Sequence, residues 1–369
     1  MSKHYIIPIF VPHSGCPHDC VFCNQKKITG LSTNVTPKDV EEIILQHLEY
    51  FKRDAFIEVA FYGGSFTAID LNVQRDLLEI PYKYKMNGII NEIRLSTRPD
   101  AITEEILDNL KKYSVNTIEL GVQSLDKEVL HASERGHTSE DVYTSCKLIK
   151  RYGFKLGLQM MIGLPKDNIK KSINTCMEFI KLEPDCVRIY PTLVIKDTYL
   201  EKLYKLGEYK ALELPDAIED CSILLMLFYI NNINVIRVGL QPTENIQLGK
   251  DVIGGPFHPS FRQLVETNIY KVLIDFYFSN NKIAKDGLDM VIEANSKKIS
   301  LIVGQYSSNL QYWMEKYGFR KIKVYDKDIN SDFICITIGN FYDKININSL
   351  MYTYINEKLQ IKTIEGFRI

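Results

Sequence analysis

Six short runs rich in β-branched and aromatic residues recur through the first half of the chain, and each is followed by a longer stretch with helical periodicity. This alternation predicts repeated βα units around a parallel sheet. Six units are fewer than the eight of a closed barrel, so the pattern predicts a partial, open (βα)6 barrel. The predicted strands are residues 5–12, 56–63, 91–97, 117–123, 155–163 and 186–194.

The pattern changes after residue 200. It predicts a helix over 211–232, a further strand over 234–240 and a long helix entered from a glycine-rich loop. From about residue 288, apolar segments alternate with turns, which predicts a small antiparallel α+β module. We therefore predict two domains, a partial barrel over 1–240 and a carboxyl-terminal extension with the small module over 241–369.

Composition narrows the class of protein. Hydrophobic residues make up 45% and charged residues 25% of the 369 residues, and no apolar run is long enough to span a bilayer. The start of the chain lacks a signal-peptide cleavage site, so we predict a cytoplasmic protein without a membrane partner. Lys and Arg total 45 against 46 for Asp and Glu, so no global positive charge points to nucleic acid.

Unusual polar and glycine residues follow five of the predicted strands, where the loops of such a barrel face a common cavity. Paired glycines alone usually mark turns, but five such strand ends together predict a shared site. The segments are the cysteine-containing loop after the first strand, then 63–65, 96–100, 123–124 and 163–165.

The loop after the first strand carries Cys16, Cys20 and Cys23 at CxxxCxxC spacing. Zinc is one alternative, since sites of three thiolates and one histidine exist and His13 and His18 lie nearby. Zinc sites usually pair two CxxC hooks, however, whereas one compact loop supplies all three thiols here. A 4Fe-4S cluster takes one thiolate per iron, so three cysteines would leave one iron open for an outside ligand. Cytosolic thiols stay reduced and available for metal.

With Phe22 before the third cysteine, CxxxCxΦC resembles the signature of the radical S-adenosylmethionine (SAM) superfamily. The resemblance implies that Cys16, Cys20 and Cys23 hold a 4Fe-4S cluster whose open iron is chelated by the amine and carboxylate of SAM. It also implies reductive cleavage of SAM to a 5′-deoxyadenosyl radical. A reduced electron donor such as flavodoxin or ferredoxin is the implied partner.

Further segments carry the resemblance along residues 5 to about 245. "FYGGSF" resembles the superfamily's Gly-Gly-Glu element, which binds the methionyl ammonium, with Ser65 in place of Glu. "LSTRPDAI", "ELGVQSLDKEVL", "ERGHT" and "MMIGLP" resemble the elongator catalytic subunit and, more distantly, oxygen-independent coproporphyrinogen oxidase. Ser96 stands where those relatives carry Glu, and Arg135 would hold the methionyl carboxylate. The resemblance assigns cofactor contacts to Phe22, Gly63, Gly64, Ser65, Ser96, Gln123, Arg135 and Gln159.

The elongator subunit modifies wobble uridine in transfer RNA and also carries a basic RNA-binding segment and an acetyltransferase domain. We expect neither here, because the 15 residues before Cys16 are too few for the first and the tail lacks a glycine-rich pyrophosphate loop for the second. Basic residues of the tail, with Tyr312, Trp313 and Tyr317, are candidates for binding phosphate and stacking a base. The alternative is that these residues lie on the solvated surface of the module and bind no RNA.

Three functions remain open. The first is a radical SAM enzyme that modifies a nucleoside in RNA, and the second is a radical enzyme acting on a small metabolite, porphyrin or lipid. The third is a non-enzymatic protein that binds a cluster or metal for structure. His258 is a candidate proton donor or, more commonly for such a position, a helix cap. The scattered cysteines are predicted to be buried, inert thiols: Cys146, Cys176, Cys186, Cys221 and Cys335.

Overall fold

The computed structural model describes residues 3–11, 20–24, 35–52, 54–240 and 246–361. The chain forms two compact units, of which the first is Met1–Glu213 with Asn234–Phe257 and the second is Leu214–Ile233 with His258–Ile369. The predicted division between residues 240 and 241 remains a prediction about independently folding domains. Among the described residues, no helix has both the length and the apolar character needed to cross a membrane.

The first unit is built on a seven-stranded sheet in which all neighbouring strands run parallel, in the order β1-β2-β3-β4-β5-β6-β8. This curled half-barrel confirms the predicted partial βα barrel. The further strand predicted near residue 235 pairs with β6 and makes seven. The strands are β1 (His4–Val11), β2 (Phe56–Gly63), β3 (Glu92–Thr97), β4 (Thr117–Gln123), β5 (Lys155–Ile162), β6 (Cys186–Pro191) and β8 (Val235–Val238), while β7 (Val194–Ile195) and β9 (Val252–Gly254) form a separate antiparallel pair.

Helices follow the strands of the sheet and cover it. They are α1 (Pro37–Leu48), α2 (Leu71–Met86), α3 (Glu104–Lys112), α4 (Lys127–Ala132), α5 (Ser139–Arg151), α6 (Ile169–Lys181) and α7 (Tyr199–Lys205). Thr36 caps α1, and its side chain accepts from the Asp39 amide while Asp39 accepts from the Thr36 amide. Thr103 caps α3, and its side chain accepts from the Ile106 amide. Every residue of β4 except the last is buried, as expected for a strand of a covered parallel sheet.

The second unit combines helices with a four-stranded sheet in the order β11-β10-β12-β13. Its helices are α8 (Leu214–Ile230), α9 (Phe261–Asn280), α10 (Ser296–Val303), α11 (Ser308–Tyr317) and α12 (Ile347–Thr353), and its strands are β10 (Asp289–Ala294), β11 (Lys321–Asp326), β12 (Phe333–Ile338) and β13 (Phe341–Asn346). The prediction of an antiparallel module is wrong for one pair, because β10 and β11 run parallel. Two helices, α10 and α11, lie between them and supply the long crossover that parallel strands need.

Candidate cofactor site

The turn that carries Cys20 and Cys23 is fixed by backbone hydrogen bonds. The Cys23 amide donates to the Cys20 carbonyl at 2.9 Å and closes the turn. The Val21 amide donates to the Ser133 carbonyl at 3.2 Å, and the Leu200 amide donates to the Val21 carbonyl at 2.7 Å. Ser133 follows α4 and Leu200 lies in the first turn of α7, so two helices of the first unit hold these two cysteines in place.

Phe22 lies on the other side of this turn. Its half-buried ring packs against an apolar cluster that includes Val21, Val194, Leu200 and Tyr209. The aromatic residue of the cysteine motif therefore packs the turn against the segment around β7 and α7. Cys16, the first cysteine of the motif, lies outside the described residues.

Two arginines converge on the buried sulfur of Cys20. Arg135 Nη1 donates to Cys20 Sγ at 3.1 Å, and Arg98 Nη1 lies 3.9 Å from the same sulfur. Arg98 is held by Asp100 at 2.9 and 3.2 Å and by the Arg135 carbonyl at 2.5 Å. Arg135 Nη2 donates to the Gly121 carbonyl. Both guanidiniums are thus buried and fixed, and Asp100 pairs with that of Arg98.

Two buried polar atoms near these arginines have no hydrogen-bond partner among the described residues. They are Arg135 Nε and Gln123 Oε1. Burial, Arg135 and Arg98 lower the pKa of His137 to about 3, so the ring is neutral near pH 7. Because buried polar atoms are nearly always paired in native proteins, these atoms fit a polar group that occupies the site when it is complete.

Gly63 and Gly64, at the end of β2, lie against the last residue of β1. Gly63 has φ +108°, and a Cβ there would lie 2.4 Å from the Val11 carbonyl oxygen. The Gly64 amide donates to the same carbonyl at 3.0 Å. Glycine is therefore required at position 63 by the close approach of the chain that leads into the cysteine loop.

Ser65, which replaces the glutamate of the related motif, lies in a buried hydroxyl cluster. Its Oγ is 2.8 Å from Thr97 Oγ1 and accepts from the Arg98 amide at 3.2 Å. Thr67 Oγ1 is 2.6 Å from Thr97 Oγ1. Ser65 thus ties the end of β2 to the end of β3, and its contact with a cofactor remains a prediction.

Ser96 and Gln159, both predicted cofactor contacts, are brought together inside the barrel. Gln159 Nε2 donates to Ser96 Oγ at 3.3 Å and to Glu119 Oε2 at 3.0 Å. Gln123 lies at the end of β4, after a register shift that starts at Gly121, and has φ +70°. A left-handed conformation is costly for a residue with a side chain, so the surrounding structure must hold Gln123 there.

A buried network of charged side chains links β2, β3, β4 and β6 inside the barrel. Glu119 accepts from Arg94 Nη1 at 2.8 Å, from Arg188 Nε at 2.5 Å and from Arg188 Nη2 at 3.0 Å. Arg94 also pairs with Glu58 at 2.8 Å, and Arg188 donates to Tyr62 Oη at 2.8 Å. Burial raises the pKa of Glu119, but Arg188 and Arg94 hold it below its ordinary value.

The sequence interpretation missed this network, as well as the roles of Arg98 and His137. A signal was present, because Glu58, Glu119 and Arg188 are each the one charged residue of their strand, and Arg94 lies in the middle of β3 between apolar residues. Their signs alternate along the chain, which is the pattern expected when charges from strands of one sheet pair inside a barrel.

The predicted base-stacking surface of the tail is partly contradicted. Trp313 is fully buried, so it cannot stack on a base. The hydroxyls of Tyr312 and Tyr317 donate to Asp275 at 2.6 and 2.8 Å, and Lys316 pairs with the same carboxylate. These side chains form a local cluster within the second unit.

His258 and the single cysteines lie outside the candidate cofactor site. The Ser260 amide donates to His258 Nδ1 at 3.0 Å just before α9, whose N-cap residue is Ser260, so a role for His258 as a proton donor or a cap remains a prediction. Burial raises the pKa of Cys146 to about 12 and that of Cys186 to about 11. The prediction of buried thiols is confirmed for Cys146, Cys176, Cys186, Cys221 and Cys335.

Comparisons with known proteins agree with this fold. The radical SAM superfamily profile matches residues 10–178, and the radical SAM C-terminal domain profile matches residues 184–271. The archaeal Elp3 of Methanocaldococcus infernus with an N-terminal deletion has a TM-score of 0.59 at 20% identity, covering 95% of this chain and 76% of that chain. At 20% identity this similarity shows a shared fold and no more.

Among curated relatives, a tRNA uridine(34) acetyltransferase of Methanocaldococcus jannaschii is 29% identical over 258 residues, which are 59% of this chain and 48% of the relative. An uncharacterised protein of the same organism is 30% identical over 226 residues, covering 58% of this chain and 68% of the relative. Elongator complex protein 3 of Bos taurus is 37% identical over 138 residues, which are 37% of this chain and 25% of the relative. The chain spans about half the length of the acetyltransferase relative.

The half-barrel, the cysteine turn at the end of β1 and the two profile matches define a radical SAM enzyme, and the chain belongs to the radical SAM superfamily. Within that superfamily it falls in the elongator-like branch.

Proposed function

We propose that this enzyme binds a 4Fe-4S cluster through Cys16, Cys20 and Cys23 and cleaves SAM reductively. The observation that carries the proposal is the environment of Cys20, whose sulfur is buried in a fixed turn and faces two guanidiniums. When bound, the cluster supplies the electron for cleavage of SAM.

The residues around the turn fit this cluster by their chemistry. Metal-bound cysteine is a thiolate, and the N–H groups of Arg135 and Arg98 offer it donors and positive charge. The turn is held at Val21 by hydrogen bonds to Ser133 and Leu200, which fix the position of Cys20 and Cys23 beside the two arginines. Burial of Cys20 excludes water from that side of the site.

We propose that SAM lies along the carboxyl ends of β2 to β5. Ser96 and Gln159 already lie side by side there, and Gln123 Oε1 is buried without a partner among the described residues. Gly63 and Gly64 expose backbone beside the chain leading into the cysteine loop. These contacts, with Phe22 and Ser65, follow the resemblance to the superfamily. Arg135 has a different partner in this structure and is treated separately below.

For the substrate we propose a nucleoside in RNA. The support comes from the relatives named tRNA uridine(34) acetyltransferase and Elongator complex protein 3. The second candidate is a small metabolite, porphyrin or lipid. It is favoured by the buried position of Trp313 and by the near-neutral charge of the chain, because neither offers a basic, aromatic surface for RNA.

Anaerobic reconstitution tests the cofactor chemistry. We expect a brown protein with about four irons and sulfides per chain that releases 5′-deoxyadenosine from SAM after reduction by flavodoxin or dithionite. Cys23→Ala should lose both the cluster and the release, whereas Cys335→Ala, a buried cysteine of the second unit, should keep both. Zinc in place of iron and sulfide, or full cleavage by Cys23→Ala, would contradict the proposal.

A binding experiment separates the two substrate classes. Retention of transfer RNA at low salt, with affinity that falls as salt rises, is expected for an RNA enzyme because phosphate contacts dominate binding. No retention at low salt would remove the RNA hypothesis and leave the small-molecule class.

A further inference from the structure

We propose that Arg135, with Arg98 behind it, is a positioning residue for the sulfur of Cys20 and raises the reduction potential of the cluster bound there. This inference rests on the cluster assignment above. It differs from the contact with the methionyl carboxylate that the family resemblance assigns to Arg135.

The contacts of Arg135 support this role. Both of its terminal nitrogens are bonded within the protein, Nη1 to Cys20 Sγ at 3.1 Å and Nη2 to the Gly121 carbonyl. A Cβ at position 121 would lie 3.2 Å from Arg135 Nη2 and 3.1 Å from Gln123 Nε2. The absence of a side chain at Gly121 therefore leaves the space that the guanidinium occupies. The barrel wall is shaped to direct Arg135 at the sulfur.

Arg98 reinforces the same direction. Its carboxylate partner Asp100 fixes the guanidinium from one side and the Arg135 carbonyl fixes it from the other, which leaves Nη1 3.9 Å from Cys20 Sγ. Arg98 is also buried, so its side chain cannot move into solvent. The two arginines thus form one rigid pair, connected by the hydrogen bond from Arg98 to the backbone of Arg135.

Among the residues that the structure describes, the charges around Cys20 do not cancel without an anion. Arg98 and Arg135 contribute two positive charges, Asp100 contributes one negative charge, and His137 is neutral near pH 7. One positive charge remains beside the sulfur in a buried, low-dielectric place, where electrostatic effects are strong. A metal-bound thiolate supplies the missing negative charge.

Positive charge and N–H donors at a cluster sulfur change its redox behaviour. Reduction adds one electron, taken from the external donor, and makes the cluster more negative. Hydrogen bonds to the sulfurs stabilise that reduced form more than the oxidised form, so they raise the reduction potential. The pair would therefore make the cluster easier to reduce before SAM is cleaved.

The test is a redox titration of reconstituted full-length protein, followed by electron paramagnetic resonance in the absence of SAM, together with SAM affinity by calorimetry. For Arg135→Gln we expect the equilibrium constant for reduction to fall at least tenfold, which is about 59 mV for a one-electron couple. SAM affinity should change less than threefold. The matched control is Arg151→Gln, which removes an exposed arginine on α5 and should leave both quantities unchanged.

An unchanged potential in Arg135→Gln, or a tenfold loss of SAM affinity, overturns the inference. Should this variant fail to take up the cluster, the wild-type protein labelled with 15N in its arginines gives a second measurement. We expect a 15N hyperfine coupling to the reduced cluster without SAM, and its absence overturns the inference equally. A wild-type protein that takes up no iron and sulfide instead refutes the proposed function, so the two failures are distinguishable.

Discussion

Replacement of Glu119 by Gln should destabilise the protein more than any single change on its surface. The carboxylate of Glu119 is buried and accepts three hydrogen bonds from Arg94 and Arg188, at 2.8, 2.5 and 3.0 Å, and one from Gln159 at 3.0 Å. Gln has nearly the same shape, but its amide is neutral and one of its two polar ends is a donor. That end would face guanidinium donors, and both arginines would lose a buried counter-charge.

The size of the effect follows from these contacts. Removal of one partner from a buried ion pair costs about 3 to 5 kcal/mol, because the remaining charge is left uncompensated. For a unit of this size each kcal/mol lowers Tm by about 2 to 4 °C, so Glu119→Gln should lower Tm by roughly 6 to 20 °C. Thermal unfolding followed by circular dichroism measures this shift.

The pH dependence gives a second check on the same variant. Because Arg188 and Arg94 hold the pKa of Glu119 below its ordinary 4.5, the ionised carboxylate stabilises the fold fully above that pH. The contribution is lost as the pH falls through the lowered folded-state pKa. Gln does not titrate, so the difference in Tm between the wild type and Glu119→Gln should narrow in acid.

Glu42→Gln is the matched control, since Glu42 forms an exposed pair with Lys38 at 3.5 Å on α1. Such surface pairs contribute about 0.5 kcal/mol or less, so Tm should move by no more than about 2 °C. A Glu119→Gln protein that melts as close to the wild type as this control does would refute the view that the network stabilises the barrel.

Two further predictions concern the strand ends. Gly63→Ala should destabilise the protein by about 1 to 3 kcal/mol more than Gly88→Ala. Both glycines have positive φ, but only at Gly63 would a Cβ meet backbone, the Val11 carbonyl at 2.4 Å. Equal urea midpoints for the two variants would contradict this. The pKa of His137 falls from 6.5 to about 3 on folding. Between about pH 7.5 and about pH 5.5 the free energy of unfolding of the wild type should therefore fall by roughly 1.4 kcal/mol, a loss that His137→Leu should not show. Parallel pH profiles of stability for the two proteins would disprove this.

Most of the fold could be predicted from local sequence because each βα unit has its own periodicity. The strands over 56–63 and 117–123 end where the sequence predicts. The strand predicted over 186–194 ends earlier, at Pro191. Residues Val194–Ile195 pair instead with a distant segment, β9, that no local pattern could identify.

The candidate site was predictable only in part, for a physical reason. The sequence identified the segment that contains Arg98 by its position at the end of a strand, and the segment that contains Arg135 by its motif. Their meeting at Cys20 depends on parallel strands bringing residues 78 and 115 positions apart into contact. Hydrophobic periodicity specifies which face of a strand is buried, but it carries no information on which buried charges will meet.

The two groups of buried charge in the barrel differ in balance, and that difference has a functional consequence. Glu58, Arg94, Glu119 and Arg188 form a network of two carboxylates and two guanidiniums, which is neutral as a set. At the strand ends, Arg98 and Arg135 outnumber Asp100, the carboxylate that pairs with Arg98 in the part of the chain that the structure describes. A neutral interior attracts no ion, whereas an excess of buried positive charge attracts an anionic group to one place. The barrel therefore attracts negative charge to the sulfur of the cysteine turn. The neutral network deeper in the barrel stabilises the strands and does not attract the same anionic group.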